Sequence, residues 1–146
     1  AIRFGDGSWH GTEATRLFEA PLSPLCVPEL AETLRDPADL AGQPLLRSYR
    51  KDEWSRWFEA AGVAASPQAS KGIVFDSSLA MMEAALQGIG VALAPPLMFS
   101  RQLSSGAVKQ PFQTSISLGS YWLTRLQSRL PTPAMLAFSD WITRQT

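Results

Sequence analysis

Residues 74 to 95 read VFDSSLAMMEAALQGIGVALAP, and no other stretch narrows the possible folds as much. Val74 and Phe75 begin as a strand, and Asp76, Ser77 and Ser78 make a polar corner. A helix-length run of apolar and small residues follows, then Gly88 and Gly90, then the strand GVALA, stopped by Pro95-Pro96. Leu79, Met82, Leu86 and Ile89 recur at helical spacing and are expected to form the buried stripe of the helix, with Gly88 or Gly90 ending it. Other strands alternate with helices along the chain, which implies a mostly parallel sheet with helices on its faces.

PLCVP gives a short strand between prolines. PELAETLRDPADLAG holds two short helical pieces, the second opened by Asp36 as cap and Pro37 in the first turn. PLLRSY is a strand, and KDEWSRWFEAAG a helix with Trp54, Trp57, Phe58 and Ala61 at spacings of three and four, closed by Gly62. LMFSRQLSSG reads as a short helix with a glycine end, and SISLGSYWLTRL as strand-forming. TPAMLAFSDWITRQT reads as an amphipathic helix opened by Thr132 and Pro133, with Met135, Phe138, Trp141 and Ile142 on one face. The stretch SWHGTEATRLFEAPLSP carries no clear period and reads as irregular. AIRFGDG reads as a strand already under way, turned by Gly5, Asp6 and Gly7. A strand there needs a neighbour, which leads us to expect that residues once preceding Ala1 are absent.

Composition excludes more than it selects. The chain has 146 residues, 45% of them hydrophobic, with five Trp and seven Phe, enough to fill one domain core. Thirteen basic residues balance thirteen acidic ones, unlike the basic excess of a nucleic-acid-binding domain. No apolar run is long enough for a membrane span. One cysteine and one histidine make a metal site improbable. The class expected is a soluble, cytosolic domain with no cofactor.

In parallel α/β sheets, ligands sit beyond the carboxyl ends of the strands, where helix N-termini present free amides. Asp76, Ser77 and Ser78 occupy such a corner. The same residue types are ordinary helix caps, a role contributing roughly 1 kcal/mol, and by themselves the residues favour capping. GIG follows a helix instead of opening one, so it is no dinucleotide fingerprint. His10 has no G-x-S-x-G elbow to serve and reads as a solvated loop residue. Cys26 reads as a small core residue. Arg47, Arg50, Lys51 and Arg56 form a basic cluster interleaved with Asp52 and Glu53, which reads as a solvated, self-compensated face. No set of residues nominates an enzyme.

AIRFGDGSWHG, LCVPEL, DPADLAGQPLLRSY and QGIGVALAP, in that order, resemble the effector-binding region of LysR-type transcriptional regulators. LLRSYRKDEW, VFDSS, PFQTSISLGSYWLTRLQSR and TPAMLAF are similar to the branch of that family that controls inducible β-lactamase. The resemblance implies a periplasmic-binding-protein-like fold (the LysR substrate-binding fold), here mainly its second Rossmann-like subdomain and truncated at the N-terminus. On that template residues 1–17 end the first subdomain and carry a crossover strand. Residues 18–121 form the second subdomain, and 122–146 cross back and add a helix to the first.

The resemblance further implies a small-molecule effector of the muramyl-peptide class, a homo-oligomer (dimer or tetramer), and promoter DNA held by a domain absent from this chain. It implies no membrane partner and a cytoplasmic location. By position in VFDSS and GSYWLTRL it singles out Ser78 and Tyr121 as ligand contacts, with Ser77 beside Ser78 kept mainly as the cap. Tyr49, at a strand end, is a further lining candidate. Tyr121 either bonds a ligand or anchors the crossover through its ring. The alternatives are a stand-alone binding or hydrolytic α/β protein of the same fold, or a relative responding to an amino-acid-like effector.

Overall fold

The computed structural model describes residues 1–145, apart from the side chain of Gln68. The chain divides into two units, residues 21–116 and residues 1–20 together with the chain from Ser117 onward.

The unit of residues 21–116 is built on a four-stranded sheet. Its strands are β3 (Ser23–Leu25), β4 (Leu45–Ser48), β5 (Val74–Phe75) and β6 (Val91–Ala94), in the order β3-β6-β4-β5. β4 runs parallel to both β6 and β5, and only the edge strand β3 is antiparallel. Pro24 is tolerated in β3 because an edge strand needs hydrogen bonds on one side only. The expected mostly parallel sheet is therefore found in this unit.

The punctuation in the sequence works as expected. Asp36 accepts a hydrogen bond from the Ala38 N–H at 2.9 Å and opens Pro37–Gly42, which is a 3-10 turn. α2 (Glu53–Ala60) buries Trp54, Trp57 and Phe58, while α3 (Ser78–Leu86) crosses from β5 to β6. Gly88, at φ +74°, takes the left-handed conformation that stops α3. Before β5, a Cβ on Gly72 would lie 1.8 Å from the Leu45 carbonyl oxygen, so glycine alone lets the chain enter beside β4 there.

Two layers sandwich this sheet. On one side Leu25, Leu46, Met81, Met82, Ala85, Ala92 and Phe99 form a buried cluster. The Trp54, Trp57, Phe58 and Phe112 rings pack at centroid distances of 5.6 to 6.0 Å. The indole N–H groups are satisfied as well, Trp54 donating to the Leu46 carbonyl at 2.9 Å and Trp57 to the Thr114 carbonyl at 3.0 Å. Buried Ser23 donates to the Thr114 carbonyl at 2.9 Å and accepts from the Gln110 side-chain amide at 3.1 Å. Cys26 is buried just beyond β3, where burial pushes its thiol up to about 11.

The stripe expected on α3 is corrected by the structure. Met81, Met82, Ala84 and Ala85 are buried, whereas Leu79 is 62% exposed and Ile89 is 44% exposed. Of the nine residues of α3 only Ser78 and Glu83 are polar, so periodicity alone could not choose a face. The alanines decide it, because their small side chains let the helix lie close on β4 and β6.

In the other unit the sheet is wholly antiparallel, with β1 (Ile2–Gly5), β7 (Ser120–Leu126) and β2 (Thr12–Glu19) in the order β1-β7-β2. β2 replaces what the sequence presented as irregular. A bulge between Arg16 and Phe18 shifts the register, so Leu17 and Phe18 are both half-buried and the alternation is lost. β1 is not an orphan strand either. It pairs with β7 from Ile2↔Leu123 to Gly5↔Ser120, so the neighbour it requires lies within this chain. α5 (Pro133–Thr143) is capped by the Thr132 hydroxyl, which accepts from the Met135 N–H at 3.3 Å, and no residue of α5 is buried. None of the helices is long and apolar enough to cross a membrane, among the described residues.

Candidate functional site

The carboxyl ends of β4 and β5 lie side by side, with Arg47 opposite Val74 and Ser48 opposite Phe75. The next residues on the two strands are therefore Tyr49 and Asp76, and the corner containing Ser77 and Ser78 opens α3 at that same edge. Three of the four expected site residues meet here. Tyr121 belongs to the other unit.

The two serines have different commitments. Ser77 has extended backbone (φ −137°, ψ 133°) and its hydroxyl accepts from the Leu79 N–H at 3.2 Å, which makes it the N-cap. Ser78 is the first residue of the helix and is half-buried, and its hydroxyl has no hydrogen-bond partner among the described residues. A hydroxyl can both donate and accept, so Ser78 keeps its full capacity for an added group.

Tyr49 is 66% exposed, with the Arg50 guanidinium 5.0 Å from its ring centroid. Behind the Tyr49 loop lies a carboxylate whose burial the sequence did not reveal. Glu53, 2% exposed, accepts from the Ser48 hydroxyl at 2.9 Å and from Arg50 at 3.4 Å. The Ser48 hydroxyl in turn accepts from the Arg50 N–H at 3.1 Å. These bonds tie the end of β4 to the start of α2 and so hold the loop that presents Tyr49. The available signal was the position of Glu53, immediately before a Trp at the mouth of an amphipathic helix.

The basic cluster is compensated unevenly, which corrects the picture of one solvated, self-paired face. Arg50 pairs with Glu53 and Arg56 with Asp52 at 3.9 Å. Arg47 joins neither pair. Its Nε is buried without a hydrogen-bond partner among the described residues, and its Nη1 lies 3.5 Å from the Ser48 carbonyl oxygen.

Tyr121 sits on β7 between aromatic neighbours. Its ring lies 5.2 Å from that of Phe4, edge to face, and 5.1 Å from that of Phe18. The ring thus joins all three strands of its sheet, which fits the anchoring reading. Beside it, the Ser120 hydroxyl accepts from Arg16 at 3.0 Å. His10 is exposed in the turn before β2, and no group of three or more potential metal ligands occurs among the described residues. What the β4–β5 edge offers is a hydroxyl, helix amides, an aromatic face and a cation, an arrangement suited to holding a polar ligand.

An α/β unit with a strand-to-helix corner of this kind and a separate antiparallel sheet are the parts of an effector-binding domain. The chain belongs to the LysR substrate-binding domain family, whose model matches residues 1–146. It is 63% identical over 142 residues to the HTH-type transcriptional activator AmpR of Pseudomonas aeruginosa, covering 97% of this chain and 48% of that protein. The X-ray structure of the AmpR effector domain from the same organism superposes with a TM-score of 0.94 at 62% identity, covering 99% of this chain and 70% of that one. The AmpR effector-binding domain from Citrobacter freundii gives the same TM-score at 53% identity, with 72% of its chain covered. The chain spans about half the length of the curated relatives it matches.

Proposed function

We propose that this chain is part of the effector-sensing domain of a LysR-type regulator of the AmpR kind, which binds peptidoglycan-derived muropeptides and thereby controls β-lactamase expression. Residues 18–121 act as the second subdomain, flanked by the crossover segments 1–17 and 122–146. The observation that carries this reading is the division of labour at the α3 corner, with Ser77 spent on capping while Ser78 keeps an uncommitted hydroxyl at the carboxyl edge of the parallel strands. Muramyl peptides present hydroxyls, amides and carboxylates, which match a hydroxyl, helix amides and a cation. Identity above 50% to two AmpR proteins supports carrying their class of role to this chain.

Ser78 and Tyr121 are the proposed effector contacts, with Tyr49 lining the site. Effector binding favours one arrangement of the regulator over another, a population shift in which no bond is made or broken. The assembly is a cytoplasmic homo-oligomer, a dimer or tetramer, and it reaches promoter DNA through another part of the protein.

Ser78→Ala in the intact regulator tests the reading. Affinity for anhydro-muramyl tripeptide, measured by calorimetry, should fall roughly 10-fold, with the thermal midpoint unchanged. Unchanged affinity with a lowered midpoint would show that Ser78 serves only the helix.

A further inference from the structure

We infer that Phe4 and Phe18 are positioning residues for effector binding, acting through the ring of Tyr121, an assignment that rests on Tyr121 being an effector contact. Phe4 stands directly opposite Tyr121 on β1, and Phe18 directly opposite it on β2. Their ring centroids lie 5.2 and 5.1 Å from that of Tyr121, within the range in which aromatic pairs attract. The Phe4 ring meets it edge-on at 61° and the Phe18 ring is tilted by 32°, so the two contacts hold the plane of the Tyr121 ring as well as its place.

The pairing with Phe18 exists because of the bulge in β2. Arg16 is paired with Trp122, and in an unbroken register Leu17 would come opposite Tyr121 and Phe18 opposite Ser120, on the other face of the sheet. The extra residue moves Phe18 into the Tyr121 row. Bulges re-aim side chains beside functional sites, and here the side chain re-aimed is the one against Tyr121. Core formation does not account for the trio. Phe4, Phe18 and Tyr121 are all half-buried, and no aromatic residue of this unit is buried among the described residues. A side chain on a strand has two common χ1 rotamers, and a tyrosine hydroxyl, at the far end of the ring, travels furthest between them. Rings on both flanks leave it one position, so effector binding does not have to order it.

A double-mutant cycle on the intact regulator tests this, read by calorimetry with anhydro-muramyl tripeptide. Tyr121→Phe should weaken binding roughly 10-fold through loss of the hydroxyl. Phe18→Leu, which keeps apolar bulk and removes the ring, should weaken it about 3-fold or more in the wild-type background and have no further effect beside Tyr121→Phe. Phe18→Tyr, which keeps the ring, should bind as wild type does. Phe4→Leu should repeat the pattern from the other flank, and it carries the cycle alone if Phe18→Leu does not fold. An equal loss in both backgrounds overturns the assignment, because the phenylalanine then acts independently of the Tyr121 hydroxyl. Unchanged affinity in Phe18→Leu and Phe4→Leu overturns it too, and a lowered melting temperature alongside would mark a purely structural contact. Tyr121→Phe binding like wild type removes Tyr121 as a contact, and the role of its flanking rings, while sparing the muropeptide reading. Wild type that fails to bind the probe removes the assignment and the muropeptide reading together.

Discussion

Trp57 on α2 and Trp141 on α5 both lie on helices with an apolar face, yet Trp57 has no exposed surface and Trp141 exposes 55% of its own. The difference extends to the units around them. Residues 21–116 bury Leu25, Leu40, Leu45, Leu46, Trp54, Phe58, Met81 and Met82 between helices and a sheet. In the other unit the only fully buried apolar residue is Ala20, among the described residues, and α5 exposes Met135, Leu136, Phe138 and Trp141. A cavity of 150 Å³ lies between its sheet, at Thr15 and Leu123, and α5, at Met135 and Phe138. Apolar content therefore does not make a core by itself. A helix and a sheet bury side chains only where a second layer closes over them, and among the described residues none closes over the exposed α5 face.

The contrast is broken most directly by truncating the two tryptophans. Trp57→Ala should destabilise residues 21–116 by roughly 3–5 kcal/mol in chemical denaturation, through loss of packing and of the hydrogen bond to Thr114. Trp141→Ala should change stability by less than about 0.5 kcal/mol. Equal effects would erase the distinction.

Cys26 reports on the same core chemically. With its thiol pushed up to about 11 by burial, it stays protonated at neutral pH, and its labelling at pH 8 should be at least about 100-fold slower in the native than in the unfolded chain. Because the folded thiol holds its proton more tightly, stability from this group is complete below its ordinary value of 9.0 and declines as pH rises towards 11. Rapid native labelling would show that residues 21–116 open readily.

The α5 face gives the third test. This 146-residue chain should self-associate in light scattering, and Phe138→Glu with Trp141→Glu should shift it to monomer. A monodisperse wild-type monomer would show that the exposed face needs no cover.

The smallest effect separates the serines at the α3 corner. Ser77→Ala should lower stability by about 1 kcal/mol, the loss of a cap, and Ser78→Ala by only a few tenths. Equal losses would return both serines to a structural role.

What could be read in advance depended on how far each signal reached along the chain. Of the site, the Ser77–Ser78 corner was legible because strand end, cap and helix start are consecutive. Arg47 and Glu53 were not, since six neighbouring charges in sequence look like one solvated face until the fold buries Glu53 and leaves the Arg47 Nε without a partner among the described residues. The resemblance had already set Ser78 apart from Ser77, and the structure adds that the cap bond is made by the Ser77 hydroxyl.

By itself the sequence determined the local grammar of this protein: the Asp36-Pro37 and Thr132-Pro133 starts, the Gly62 stop, a stop for α3 at Gly88 or Gly90, the strands around α3, and the aromatic stripe of α2. Each depends on residues within a turn or two, where backbone sterics and capping act alone. Only the tertiary structure decided that β7 joins β1 to β2, pairings such as Gly5 with Ser120 that span most of the chain. It alone chose the face of α3 to bury, left α5 uncovered and set Arg47 apart from its neighbours. Those outcomes depend on which surface a segment meets, and a side chain's own sequence neighbours carry no record of that surface.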